Sequence, residues 1–100
     1  MAMHARRLLT VVTEASLERA LLADLERLGA RGWTVTEARG GGHRGERSSG
    51  WELDANVRIE VICDAALAAA LAEHLRTTYY DHYAMVLFVH DVEVLRPDKF

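Results

Sequence analysis

"NVRIEVICDAALAAALAEHLRTTYY", residues 56–80, changes its period at Asp64, and that change sets the fold class. Over residues 56–63 the side chains alternate. Val57, Ile59, Val61 and Cys63 share one face, and Asn56, Arg58, Glu60 and Ile62 share the other, as on a strand with one buried face. Asp64 is a residue type that accepts from the free N–H groups of a first helical turn. After it, Leu67, Leu71, Leu75 and Thr78 recur at helical spacing and predict an inward stripe. The many alanines favour helix and allow close packing.

Working outward from this strand–helix pair, "RRLLTVVT" (6–13) is β-rich and apolar on both faces, which predicts a central strand. "EASLERALLADLERLGARG" then carries Leu17, Leu21, Leu25 and Leu28 on one helical stripe, widened by Ala20 and Leu22. Ser16 is the expected N-cap, with Glu18 in the first turn, and Gly29 or Gly32 the expected stop. "WTVTEA" (33–38) alternates as a second strand, and "YAMVLFVHDVEVL" (83–95) reads as a fourth, apolar on both faces at its start. The order β-α-β-β-α-β predicts an α+β, ferredoxin-like fold: a four-stranded antiparallel sheet with two helices on one face. The other face would be bare in a single subunit. Apolar residues there predict a homo-oligomer packed through its sheets. Residues 1–100 read as a single domain, with 1–5 and 96–100 expected to be loose.

The chain has 100 residues, a formal net charge of -3 and a pI near 5.9. A protein that holds nucleic acid by its overall charge is basic, so nucleic acid is not an expected partner. Any anion site must be a local concentration of arginine. Cys63 is the only cysteine, which rules out an intramolecular disulfide and fits a reducing compartment. No apolar run approaches the ~20 residues of a membrane span. The first residues do not form a signal peptide, so the expected location is cytoplasmic.

That local concentration lies in the long connection between the second and third strands, about residues 40–55, which includes "GGGHRGERSSG" (40–50). Loops this long in compact domains are usually functional or disordered. Gly40, Gly41 and Gly42 allow successive backbone N–H groups to converge on an anion. Arg44 and Arg47 offer planar donor forks, and Ser48 and Ser49 add hydroxyls. A solvated hairpin tip is the competing reading. No Gly-Lys-Ser/Thr follows, so this is not a P-loop, and the strands lack the stacking aromatics of an RNA recognition motif. His4, His43, His74, His82 and His90 show no tight metal-ligand spacing. Trp33 and Trp51 read as packing residues. No Ser-His-Asp or Cys-His arrangement and no pair of catalytic carboxylates is legible, so no enzymatic activity is expected.

"GWTVTEARGGG" (32–42), "VRIEVI" (57–62) and the element order resemble the PII signal-transduction proteins. "RSSG" (47–50), "ANVRIEV" (55–61) and "YYDHYAMVLFVHDVEVL" (79–95) are similar to one branch, the carboxysome-associated PII and SbtB-like proteins of inorganic-carbon metabolism. The resemblance spans almost the whole chain. It implies a homotrimer with inward sheets, adenine-nucleotide sites in the clefts between subunits, and a T-loop at about 40–55. By position, Gly42, Arg44, Arg47, Ser48 and Ser49 would surround phosphate. Thr34, Glu60 and Ile62 would face the nucleoside from the neighbouring subunit, and Met85 would lie on the second nucleotide-contacting loop. Gly41, Gly42, Arg44 and Arg47 are the candidates for a bicarbonate ion beside the nucleotide. The second loop here reads "YYDHYAM", without the family's glycines and phosphate-binding lysine, which favours AMP or ADP over ATP. Arg44 stands where other members use a T-loop glutamine for Mg-ATP and 2-oxoglutarate, and the modified T-loop tyrosine is absent. No cofactor is implied. The expected target is a bicarbonate transporter or a carboxysome-linked protein, and Lys99 is placed to reach a neighbour's phosphate. The alternatives are a CutA-like metal-binding trimer, which shares the topology, and a small α+β-barrel enzyme, which the leucine stripes disfavour.

Overall fold

The alternation over 56–63 and a helix on either side of it are realised in the computed structural model, which describes residues 1–41 and 55–100. The elements are β1 (His4–Glu14), α1 (Glu18–Leu28), β2 (Thr34–Ala38), β3 (Asn56–Cys63), α2 (Ala65–Tyr79) and β4 (Val86–Val94). They form a four-stranded sheet in the order β2-β3-β1-β4, antiparallel at every pairing. This is the ferredoxin-like α+β arrangement, with β3 and β1 at the centre.

Register decides which residues face the helices. Leu9 pairs with Val61 and Val89, and Val11 with Ile59 and Leu87. Leu9, Val11, Val57, Ile59, Val61 and Cys63 are buried against Leu21 and Leu25 of α1 and Ala68, Leu71, Leu75 and Tyr79 of α2. Burying a side chain such as Leu71 or Ile59 contributes about 1.5–3 kcal/mol. On α2 the buried stripe is therefore Ala68, Leu71, Leu75 and Tyr79, not the expected Leu67, Leu71, Leu75 and Thr78. Thr78 is exposed and Leu67 half-buried. Turning the helix this way buries the Tyr79 ring, which removes more apolar surface from water than the small Thr78. Ala20 is likewise exposed, while Leu22 and Leu28 pack against the core's edge.

The helix ends show what local chemistry accomplishes. Asp64 caps α2, its Oδ1 accepting from the Leu67 N–H at 2.7 Å. Ser16 does not cap α1. A 3-10 turn, Ala15–Leu17, bridges β1 and α1, and the Ser16 hydroxyl donates to Glu14 Oε2 at 2.8 Å. The chain is held there by the Ala15 N–H donating to the Ala55 carbonyl at 2.7 Å, which fixes the helix entry to the start of β3. Gly29 ends α1 at φ 114°, with the Ala30 N–H donating back to the Leu25 carbonyl at 2.9 Å, a Schellman closure.

Other boundaries shift as well. β2 starts at Thr34, so Trp33 precedes it. α2 stops before Tyr80, and β4 starts at Val86 rather than Tyr83. The Tyr79 carbonyl accepts from both the His82 and Tyr83 N–H groups, which bends residues 80–85 into a turn. The C-terminal segment, expected to be loose, forms a 3-10 turn, Pro97–Lys99. The Arg6 Nη2 donates to the Pro97 carbonyl at 3.2 Å, and the Arg31 Nη1 to the Asp98 carbonyl at 2.8 Å. At the other end, β1 begins at His4, within the stretch expected to be loose.

The sheet face away from the helices carries Leu8 and Val12 on β1, and Val86 and Phe88 on β4. It also carries Arg58, Glu60 and His90, so it is mixed rather than uniformly apolar. Two expected outcomes follow from the backbone and the buried hydroxyls. Gly29→Ala should destabilise the chain by about 1–2 kcal/mol through its left-handed backbone alone, because the new Cβ would meet only Leu67 Cδ1 at 4.0 Å. Thr13 is 1% exposed and its Oγ1 has no hydrogen-bond partner among the described residues, so Thr13→Val should stabilise by about 1 kcal/mol. Urea unfolding measures both.

Candidate functional site

β3 supplies the polar side chains of the candidate site because its alternation sends every second residue away from the helices. Glu60 and Ile62 emerge there half-buried, and Thr34 of β2 lies directly opposite Glu60 in the register. Arg58, two residues before Glu60 on the same face, donates from Nε at 3.2 Å and Nη2 at 3.0 Å, both to Glu60 Oε2. The pair holds the carboxylate in one orientation beside Thr34. The sequence reading missed Arg58 as a partner. The signal was available, since residues two apart on a strand share a face.

The structure brings Thr34, Glu60 and Ile62 together on the β2–β3 side of the sheet. It does not bring Met85 to them. Met85 precedes β4, at the opposite edge, three strand spacings or roughly 14 Å from Thr34 and two, or roughly 10 Å, from the strand that carries Glu60 and Ile62. Its side chain is 7% exposed and belongs to the core, so what it offers a ligand is backbone. Its own N–H donates to the Tyr83 carbonyl at 3.0 Å. Gly41 is exposed beyond the end of β2. Gly42, Arg44, Arg47, Ser48 and Ser49 lie outside the described residues, as do His43 and Trp51. β2 pairs Ala38 with Asn56, and β1 pairs Val12 with Val86. The exit from β2 and the entry to β4 are therefore at the same end of the sheet.

A second polar cluster joins the two helices. Asp24 Oδ2 accepts from the Tyr79 hydroxyl at 2.6 Å and lies 3.2 Å from His74 Nε2. Arg27 Nη2 donates to Asp24 Oδ1 at 3.3 Å. Burial works to raise the Asp24 pKa, but the hydrogen bonds from Tyr79, His74 and Arg27 outweigh it and hold the carboxyl below the usual range. Burial, then the bond to Asp24, pushes the Tyr79 phenol up to about 12. His74 is thus a partner in an inter-helix cluster. Nothing in the spacing of Asp24, His74 and Tyr79 shows this, because the contact depends on how two helices pack. Burial, then the neighbouring Asp64, raises the Cys63 thiol, so it behaves as a core residue. Among the described residues, no group of three His, Cys, Asp or Glu side chains is placed to hold a metal ion. No helix among them is long and apolar enough to cross a membrane.

Known proteins share this architecture throughout its length. A sequence model of the family described as "Nitrogen regulatory protein P-II" matches residues 6–99. A solved structure from Thermus thermophilus, described as PII-like in signalling, is 40% identical, with a TM-score of 0.85, over 100% of this chain and 99% of that one. CPII, a nitrogen regulatory PII-like protein from Thiomonas intermedia, was solved bound to ADP, AMP and bicarbonate. It is 26% identical, with a TM-score of 0.84, over 99% of this chain and 96% of that one. A second CPII structure, bound to ADP and bicarbonate, matches with a TM-score of 0.85 at 26% identity, over 99% of this chain and 97% of that one.

The Tyr79 phenol has an expected consequence at high pH. Its folded pKa is raised to about 12, whereas an unfolded tyrosine ionises near pH 10. The stability it contributes is complete below about pH 10 and is lost as pH rises through about 12, because the unfolded chain releases the proton first. Chemical unfolding between pH 9 and 12 should show this decline, and Tyr79→Phe should make it shallower.

Proposed function

Since the chain belongs to the PII family of nitrogen regulatory proteins, we propose that it is a regulatory protein that binds ADP or AMP between subunits, together with bicarbonate. The observation that carries this reading is the likeness, over nearly the whole chain, to CPII bound to ADP, AMP and bicarbonate. The sheet order supports it independently. Thr34, Glu60 and Ile62 lie toward one edge and the 80–85 turn at the other. In the reading we propose, one nucleotide contacts both where the β2–β3 side of one subunit meets the β4 side of the next. A head-to-tail contact of this kind forms a ring when its rotation closes, and a homotrimer is the state we assign.

In this mechanism residues 1–100 are one PII-like domain, with 40–55 as its T-loop. Arg44 and Arg47 clamp the nucleotide's phosphates, with Gly42, Ser48 and Ser49 as further donors, each charge-assisted bond contributing about 1.5–3 kcal/mol. Bicarbonate sits beside them on the amides of Gly41 and Gly42 and on the arginine forks. Glu60, held by Arg58, and Thr34 face the nucleoside with Ile62, and the Met85 backbone closes the far side. Both ligands act on the same segment, so each tightens the other's binding. The resulting T-loop conformation decides whether a bicarbonate transporter or carboxysome-linked protein docks. The protein acts by binding, not catalysis, in the cytoplasm, within the carboxysome-associated and SbtB-like branch.

Calorimetry with ADP and AMP, each with and without bicarbonate, should show saturable nucleotide binding that bicarbonate strengthens. Arg47→Ala should lower nucleotide affinity at least tenfold, the equivalent of about 1.4 kcal/mol. Nucleotide binding indifferent to bicarbonate would remove the carbon-sensing part. Binding of zinc or copper without nucleotide binding would favour the CutA-like alternative. Light scattering on a sizing column should return three subunits.

A further inference from the structure

The Asp24 cluster sits away from the β3 side chains assigned to the ligand, yet a continuous series of contacts runs from it to the 80–85 turn. Asp24 Oδ2 accepts from the Tyr79 hydroxyl at 2.6 Å. The Tyr79 carbonyl accepts from the His82 N–H at 3.1 Å and the Tyr83 N–H at 3.0 Å. The Tyr83 ring stands 6.0 Å from the Tyr79 ring, tilted by 59°. The Tyr83 carbonyl accepts from the Met85 N–H at 3.0 Å, and Met85 drops into the core immediately before β4.

Tyr79 is the last residue of α2, where a helix normally frays. Here it is 8% exposed, and its hydroxyl is tied to a different helix. A phenol of this burial needs a partner for its O–H. Asp24 supplies it, and His74 and Arg27 hold the same carboxylate from α2 and α1. The carboxylate is therefore oriented from two sides before it meets Tyr79.

We propose that Asp24 is a positioning residue for the 80–85 turn: through Tyr79 it anchors the end of α2 and so sets where the Met85 backbone stands for a bound nucleotide. The ligand part rests on the function proposed above; the anchoring part does not. Removing the Tyr79 hydroxyl leaves its ring in the core but frees the helix end. The turn then samples more positions, and a ligand must order it again at a cost in affinity. A plain helix staple would behave differently, lowering the stability of the whole chain without singling out the turn.

The test is residue-resolved amide exchange, with ADP calorimetry alongside, on the full chain and on Tyr79→Phe, Asp24→Ala and the double variant. Cys63→Ala is the control, since it removes a buried side chain at the end of β3 opposite the turn and away from the cluster. Tyr79→Phe and Asp24→Ala should each speed exchange at Tyr83 and Met85 by about tenfold or more, while Ile59 and Val61 in β3 keep their protection. ADP affinity should fall by a similar factor. The double variant should be little worse than either single one, because both remove one interaction. Cys63→Ala should lower global stability without a selective effect on the turn. Uniform acceleration through the sheet, or no change at Tyr83 and Met85, would overturn the proposal. A selectively loosened turn with ADP affinity unchanged would overturn its ligand part. Should the wild-type chain bind no adenine nucleotide, the functional reading fails by itself, and the exchange pattern alone decides the role of Asp24.

Discussion

The pairing of β3 with β1 is the constraint on which the other elements depend. Leu9 against Val61 and Val11 against Ile59 place four buried side chains in register beneath both helices. A slip of one residue would turn Ile59 and Val61 outward and drive Arg58 and Glu60 into the core, at a cost no other contact here offsets. The pairing of β2 on the other side of β3 then sets Thr34 opposite Glu60. Core and candidate site are two faces of one alternation, so the residues that stabilise the sheet also aim the polar pair.

Legibility in the sequence followed the range of the interaction. The strand at 56–63 and the cap at Asp64 were readable, and the helix stop was narrowed to Gly29 or Gly32, because each is set by residues close in the chain. Ser16 misled for the same reason: it has the chemistry of a cap, but the tie from Ala15 to Ala55 turns the chain before a cap is needed. The rotation of α2 was misassigned because 67/71/75/78 and 68/71/75/79 have equivalent helical spacing. Only the space between the helices, which accepts the Tyr79 ring, separates them.

The site shows the same division. Glu60 and Ile62 share a face by simple alternation, and Thr34 joins them through strand pairing. Their separation from Met85 follows from strand order, which a linear reading of motifs does not display. The Asp24, His74 and Tyr79 cluster was invisible because Asp24 lies 50 and 55 residues from its two partners and meets them only after packing. The phosphate-directed arginines come from a resemblance, and they lie outside the described residues.

His4 pairs with Val94, and Arg6 reaches the Pro97 carbonyl, so the two ends of the chain leave the sheet side by side. They leave from the end opposite the one where β2 exits and β4 enters. Along an 11-residue strand such as β1, that separation is on the order of 35 Å. An affinity handle or fluorescent reporter fused to either terminus would therefore project from the far side of the molecule. Surface capture through such a handle would leave the ligand-facing end open to solution.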